Sequence, residues 1–218
     1  MKKIFIVFML IIISLSFIAC NGKRDINASF SEITYVYFQA SAEGVNSSIS
    51  VGQREEPYVI DGKHGKNCGF SLINLKFEEQ VKENKIVVDL NVNNQITQLT
   101  LELNPANHFY MADLGYELNK EDIINLSYEN YNLCYENISK DFAITYEKAI
   151  LIAEDNYKEY INTLYKGKTF NGECYLKILT LNNNGKDELF WIYTIVNNNS
   201  QHKNIIINTE TGKVLIKD

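Results

Sequence analysis

The residues best placed to do chemistry in this 218-residue chain are His64 and Cys68, spaced His-x-x-x-Cys in a glycine-rich stretch. A thiol attacks only as its thiolate, which a neighbouring imidazole or ammonium group stabilises. His64, Lys63 and Lys66 are the candidates for that role. A third group would have to orient the imidazole, and nothing close in sequence nominates one. His108 and His202 stand alone, and no second His/Cys pair completes a set of metal ligands. The segment NNNGKDE at 182–188 is too short for a calcium loop. Glu55-Glu56 and Glu121-Asp122 are adjacent in sequence, so they need not converge and read as solvated surface. No GxSxG elbow, phosphate-binding loop or dinucleotide fingerprint is present. The expectation is a chain that is not an enzyme and carries no cofactor or metal. An enzyme built on Cys68 is the weaker alternative.

The stretch holding this pair runs from Gly52 to Gly69 (GQREEPYVIDGKHGKNCG), with four of the chain's 11 glycines and one of its two prolines. It reads as a long surface loop, with a short strand at Tyr58 to Ile60 and a turn at Asp61-Gly62. Loops held on a rigid scaffold are where recognition residues concentrate. Arg54, Glu55, Glu56, Tyr58, Lys63 and His64 are therefore the candidate partner-binding residues. With 14 tyrosines and one tryptophan, a small-ligand or glycan-binding role is the alternative.

Two kinds of element must position that loop. Ile33 to Ala40 is apolar on both faces and β-rich, as a central strand would be, and Asn46 to Val51 is a weaker strand. Ser71 to Glu79, Lys85 to Val92 and Ile96 to Leu103 alternate with period two and read as a meander with one wet face. Phe109 to Leu114 follows, then two short strands around Glu129-Asn130. The periodicity changes after Ser139. Thr145 can cap a helix whose apolar stripe runs Tyr146, Ala149, Ile150, Ala153, Tyr157, Tyr160, Ile161 and Leu164 over five turns. Strands at 173–181, 187–196, 204–208 and 213–217 come after it, with Gly212 in the last turn. Cys68, Cys134 and Cys174 allow at most one internal disulfide, and no spacing selects the pair.

The first twenty residues, MKKIFIVFMLIIISLSFIAC, have a basic start, an apolar run and then Ala19-Cys20. That is the layout of a signal peptide. Phe-Ile-Ala-Cys resembles the lipobox of bacterial lipoproteins, with Phe17 where Leu is usual. The resemblance implies cleavage before Cys20, whose thiol would carry the lipid and tether the protein to the outer side of the cell membrane. An uncleaved N-terminal anchor is the alternative. The chain has 27 acidic groups against 21 basic, two of the latter in the leader, so the mature charge is about −8. An acidic surface of this kind disfavours nucleic acid, which needs clustered Lys and Arg.

Three segments near the C-terminus, ITYEKAILIAEDNY at 144–157, ELFWIYTIV at 188–196 and NIIINTETGKVLIKD at 204–218, resemble the PepSY family. Asn208 stands where that family's turn has Asp. The resemblance implies a small non-catalytic module that regulates an exported protein or protease, and it transfers no site residues. The expected architecture is α+β. A leader (1–19) and lipidated tether (20–27) precede an antiparallel, sandwich-like β domain (28–139). A helix-on-sheet PepSY-like domain (140–218) follows.

Overall fold

The computed structural model describes residues 29–79, 81–183 and 186–217. The leader and Cys20 lie outside the described residues. Nine strands come first: β1 (Phe30–Ala42), β2 (Val45–Glu56), β3 (Lys66–Phe77), β4 (Lys85–Val92), β5 (Gln95–Asn104), β6 (Phe109–Asp113), β7 (Ile124–Tyr128), β8 (Tyr131–Cys134) and β9 (Glu136–Asn137). A 3-10 turn at Ser139–Asp141 leads to α1 (Tyr146–Asn156) and α2 (Lys158–Leu164). Then come the short pair β10 (Tyr165–Lys166) and β11 (Thr169–Phe170), and the strands β12 (Gly172–Asn183), β13 (Lys186–Asn197), β14 (His202–Asn208) and β15 (Val214–Lys217).

Thirteen of these strands form one mixed sheet, in the order β15-β14-β13-β12-β1-β2-β3-β6-β5-β4-β7-β8, with β9 on β1. This overturns the expected division into a β domain followed by a separate α+β unit. The protein is mostly β, and the sheet runs without interruption through both expected domains. The physical cause is β1, whose start pairs in parallel with β12 (Phe30 with Cys174, Ile33 with Leu176). The rest of β1 pairs with β2 on one side, and near its far end with β9 on the other. Parallel pairing across 140 residues leaves no pattern in a local window, so it could not be read from the sequence.

The β1–β9 part curls around its own core. The continuous segment 131–137 pairs with β7 through β8 and with β1 through β9, which closes the cycle. Phe38, Ile49, Ile73, Leu75, Val88, Leu101 and Leu126 are buried inside it. The alternation expected for 71–79, 85–92 and 96–103 is real, but of the expected meander only the antiparallel pair β4–β5 forms. β3 pairs with β6 and not with β4, which lies between β5 and β7. Two layers of side chains still face each other, supplied by one sheet folding back on itself.

The second core lies between α1/α2 and the face of β12–β14 that carries Cys174, Leu176, Trp191, Tyr193, Ile205 and Ile207. Ala149 and Ala153 are fully buried there, so α1 lies close against the sheet. The helical stripe was expected to be continuous. It breaks at Tyr157, whose backbone leaves the helical region (φ −111°, ψ 17°), and its hydroxyl donates to the Asn204 carbonyl. Trp191 Nε1 donates to the Ile144 carbonyl at 2.8 Å, fixing the approach to α1. Asn208 Oδ1 accepts from the Glu210 and Thr211 amides at 3.0 and 2.9 Å, and Gly212 takes φ +70°. An amide oxygen thus holds this turn as a carboxylate would. Among the described residues no helix is long and apolar enough to cross a membrane.

Candidate functional site

The stretch 52–69 is only half loop. Residues 52–56 extend β2 and residues 66–69 begin β3, paired from Gly52–Phe70 to Glu56–Lys66. A Cβ at position 52 would lie 1.9 Å from the Ile33 carbonyl oxygen, so glycine is what lets β1 and β2 stay paired there. What remains is a strap, residues 57–65, entered through a cis Glu56–Pro57 bond. The expected strand at 58–60 does not form, because the strap turns across the sheet instead of pairing along it.

Two buried carboxylates hold the strap. Glu173, fully buried at the start of β12, accepts from the Gly62 amide at 2.7 Å and from Ser31 Oγ at 2.8 Å. Glu55, 3% exposed, accepts from the Gly65 amide at 2.6 Å. Gly62 has φ +80°, and a Cβ there would meet the Asn197 carbonyl at 2.3 Å. Only glycine fits both the turn and that approach. Asp61 Oδ1 accepts from the Lys63 amide at 2.9 Å and tightens the same bend.

On the strap's inner side Lys177 of β12 meets Tyr58 and Glu32. Lys177 Nζ lies 3.0 Å from Glu32 Oε2 and donates to Tyr58 Oη at 2.7 Å. Its nitrogen also sits 5.2 Å from the Tyr58 ring centre and 5.6 Å from that of Tyr175. Burial alone would lower the Lys177 pKa, but the Glu32 carboxylate and the Tyr58 hydroxyl outweigh it and raise it. Burial and then Glu32 raise the Tyr58 pKa. Beside this group lies a cavity of about 270 Å³, bounded by Tyr58, Ile60, Tyr175, Lys177, Val196 and His202 among others.

The sequence-derived candidates divide in two. Arg54 is turned inward: it pairs with Asp113 and lies 5.1 Å from the Phe70 ring centre and 5.7 Å from that of Tyr58. Glu55 is likewise structural, as the anchor of Gly65. Glu56, Lys63 and His64 are exposed, and Tyr58 is partly so. Cys68 falls on β3 opposite Arg54, half-buried, and no hydrogen bond joins it to His64 among the described residues. Cys134 is exposed and Cys174 buried, and all three thiols are free.

The sequence does not group Glu32 with Glu173 and Lys177, because Glu32 lies on β1 and the other two on β12, more than 100 residues away. One local signal existed, a charged residue at 173 and another at 177 inside an otherwise apolar strand. Val59 (47% exposed) and Ile60 (59% exposed) join the exposed residues of the strap, which a strand at 58–60 would have paired instead. Phe190, Trp191 and Tyr193 are buried and offer no ring to a ligand. Among the described residues no three His, Cys, Asp or Glu side chains gather as a metal site. No family model matches the chain, and neither a curated protein nor a solved structure matches it.

Proposed function

We propose that this is a membrane-tethered extracytoplasmic lipoprotein, held by a lipid on Cys20, whose strap is a non-catalytic docking surface for an exported protein. The observation that carries the docking reading is the run Tyr58-Val59-Ile60, exposed on a backbone that Glu173 and Glu55 anchor from below. Apolar side chains on a fixed strap bind with little ordering cost, and the exposed Glu56, Lys63 and His64 would form the polar rim. The resemblance of residues 140–218 to PepSY modules supports an envelope protease as the class of partner. A second reading, a small-ligand binder, has the 270 Å³ cavity beside Tyr58 in its favour.

The test is crosslinking and capture from the cell envelope with the full chain and with a Val59→Asp/Ile60→Asp variant. The expected outcome is a discrete protein partner retained by the parent and lost, by ten-fold or more, from the variant. Equal retention by both would remove the strap from the reading. No retained protein, together with thermal stabilisation by a metabolite, would favour the small-ligand alternative.

A further inference from the structure

The cavity beside the strap lies on the face of β12 and β13 turned away from the helices. Cys174, Leu176, Tyr193 and Ile195 face the helices, so the alternate positions Tyr175, Thr194 and Val196 form the cavity floor. The strap gives it a wall, Tyr58 and Ile60, which the hydrogen bonds to Gly62 and Gly65 keep in place. Ser200 and His202, both exposed, stand at its mouth. Ile60 belongs at once to this wall and to the exposed run Tyr58-Val59-Ile60. A chain lying on the strap therefore has the cavity directly beside it.

Charge, size and polarity each narrow the occupant. The one ammonium group that bounds the cavity, Lys177, is already 3.0 Å from Glu32 Oε2 and donates to Tyr58 Oη at 2.7 Å. An anion would have to compete with Glu32 for it, and a cation would meet Lys177 itself, whereas a neutral group incurs neither cost. At about 270 Å³ the cavity falls below the ~300–1,000 Å³ of sites that enclose a whole small molecule, and it suits a single ring system better. Its inner walls are apolar and aromatic. Val196 is buried, and the Tyr58 and Tyr175 rings meet edge to face with centres 6.2 Å apart. The polar groups Ser200 and His202 are at the wet end. A deep apolar part with a polar rim matches tryptophan and tyrosine, whose rings bury while the N–H or O–H keeps a partner at the edge. The same two residues are the recurrent anchors of protein interfaces.

We propose that this cavity receives one tryptophan or tyrosine side chain of the protein docked on the strap. The inference rests on the docking reading and names the partner's anchor residue. The strap would then contribute apolar contacts along Val59 and Ile60, and the cavity the specificity for a ring with a polar edge.

The experiment has two arms. In the first, the full chain is titrated by NMR with N-acetyl-tryptophanamide, N-acetyl-leucinamide and N-acetyl-lysinamide. Expected are saturable shifts at the amides of Tyr175, Thr194 and Val196 with the tryptophan probe, at least five-fold tighter than with the leucine probe, and no saturation with the lysine probe. In the second, capture from the cell envelope is repeated with His202→Trp, an exposed position whose new side chain plugs the mouth, and with Thr194→Phe, which fills the cavity from its floor. Thr194→Phe also loses a 2.7 Å hydrogen bond to Asn204, so His202→Trp keeps the test sound if that variant fails to fold. Both should lose the tryptophan probe and, by ten-fold or more, the captured protein. Leu151→Ala, on the exposed side of α1, should change neither. Capture that survives both cavity variants but not Val59→Asp/Ile60→Asp would keep the docking reading and overturn the anchor. A tryptophan probe that binds when the parent captures no protein would overturn both, and leave a free aromatic molecule as the occupant. Equal binding of the three probes, or saturation by none, would also overturn the proposal.

Discussion

Cys174 lies at the centre of the second core with no exposure, and its neighbour Tyr193 donates a hydrogen bond to its sulfur at 3.4 Å. Burial pushes the thiol pKa up to about 12, and the tyrosine hydroxyl only partly offsets this. In the unfolded chain the thiol titrates near 8.5. Between those values the unfolded state gives up its proton and the folded state keeps it, so stability falls as pH rises. Over the 1.5 units to pH 10 the loss from this one group is about 2 kcal/mol. Urea unfolding at pH 7, 8.5 and 10 should therefore show an alkaline decline that is visibly smaller in Cys174→Ala. An unchanged decline would assign it to other groups. By contrast the Lys85–Glu102 pair, with both side chains mostly exposed, contributes little to stability at any pH.

At the scale of elements, α1 owes its place to two small residues. Ala149 and Ala153 are both fully buried against the sheet face that carries Trp191 and Tyr193. Their lack of bulk, and not helix propensity, sets how near the helix sits. Ala153→Leu should cost about 1–3 kcal/mol through overpacking, lowering the melting temperature in calorimetry by several degrees. Leu151→Ala, on the exposed side of the same helix, should leave it within experimental error. If both changes had the same effect, helix propensity would be governing the packing instead. The helical stripe was legible because 3.6-residue periodicity is local. The break at Tyr157 was not, because the Asn204 carbonyl that receives its hydroxyl belongs to β14.

For the whole molecule, β1 is the shared element. Phe30 belongs to the core under the helices, and Val36 and Phe38 to the core inside the curled sheet. The two cores therefore cannot separate without breaking one strand's packing. Calorimetry should give a single cooperative transition for the full chain. A chain ended at residue 139 should aggregate or lack cooperative unfolding, since it loses β12 and leaves one edge of the start of β1 open. Two resolved transitions, or a cooperatively folding fragment, would contradict this. The same continuity makes point substitutions on the strap, not truncation, the sound way to look for a partner.

The sequence by itself determined most strand positions, the helical stripe, the Asn208 turn and the turn at Asp61-Gly62, whereas the stretch 52–69, read as one loop, is half strand. Each of these rests on period-two or period-3.6 patterning, or on turn residues, acting over a few positions. Tertiary structure decided that β3 neighbours β6, that β1 joins β12, and that Arg54 and Glu55 face inward while Val59 and Ile60 face out. Those outcomes depend on which distant strand supplies the neighbour. Glu55 differs from Glu56 only because Gly65 and Asn67 return beside it, and Glu173 matters only because β12 delivers it beneath Gly62.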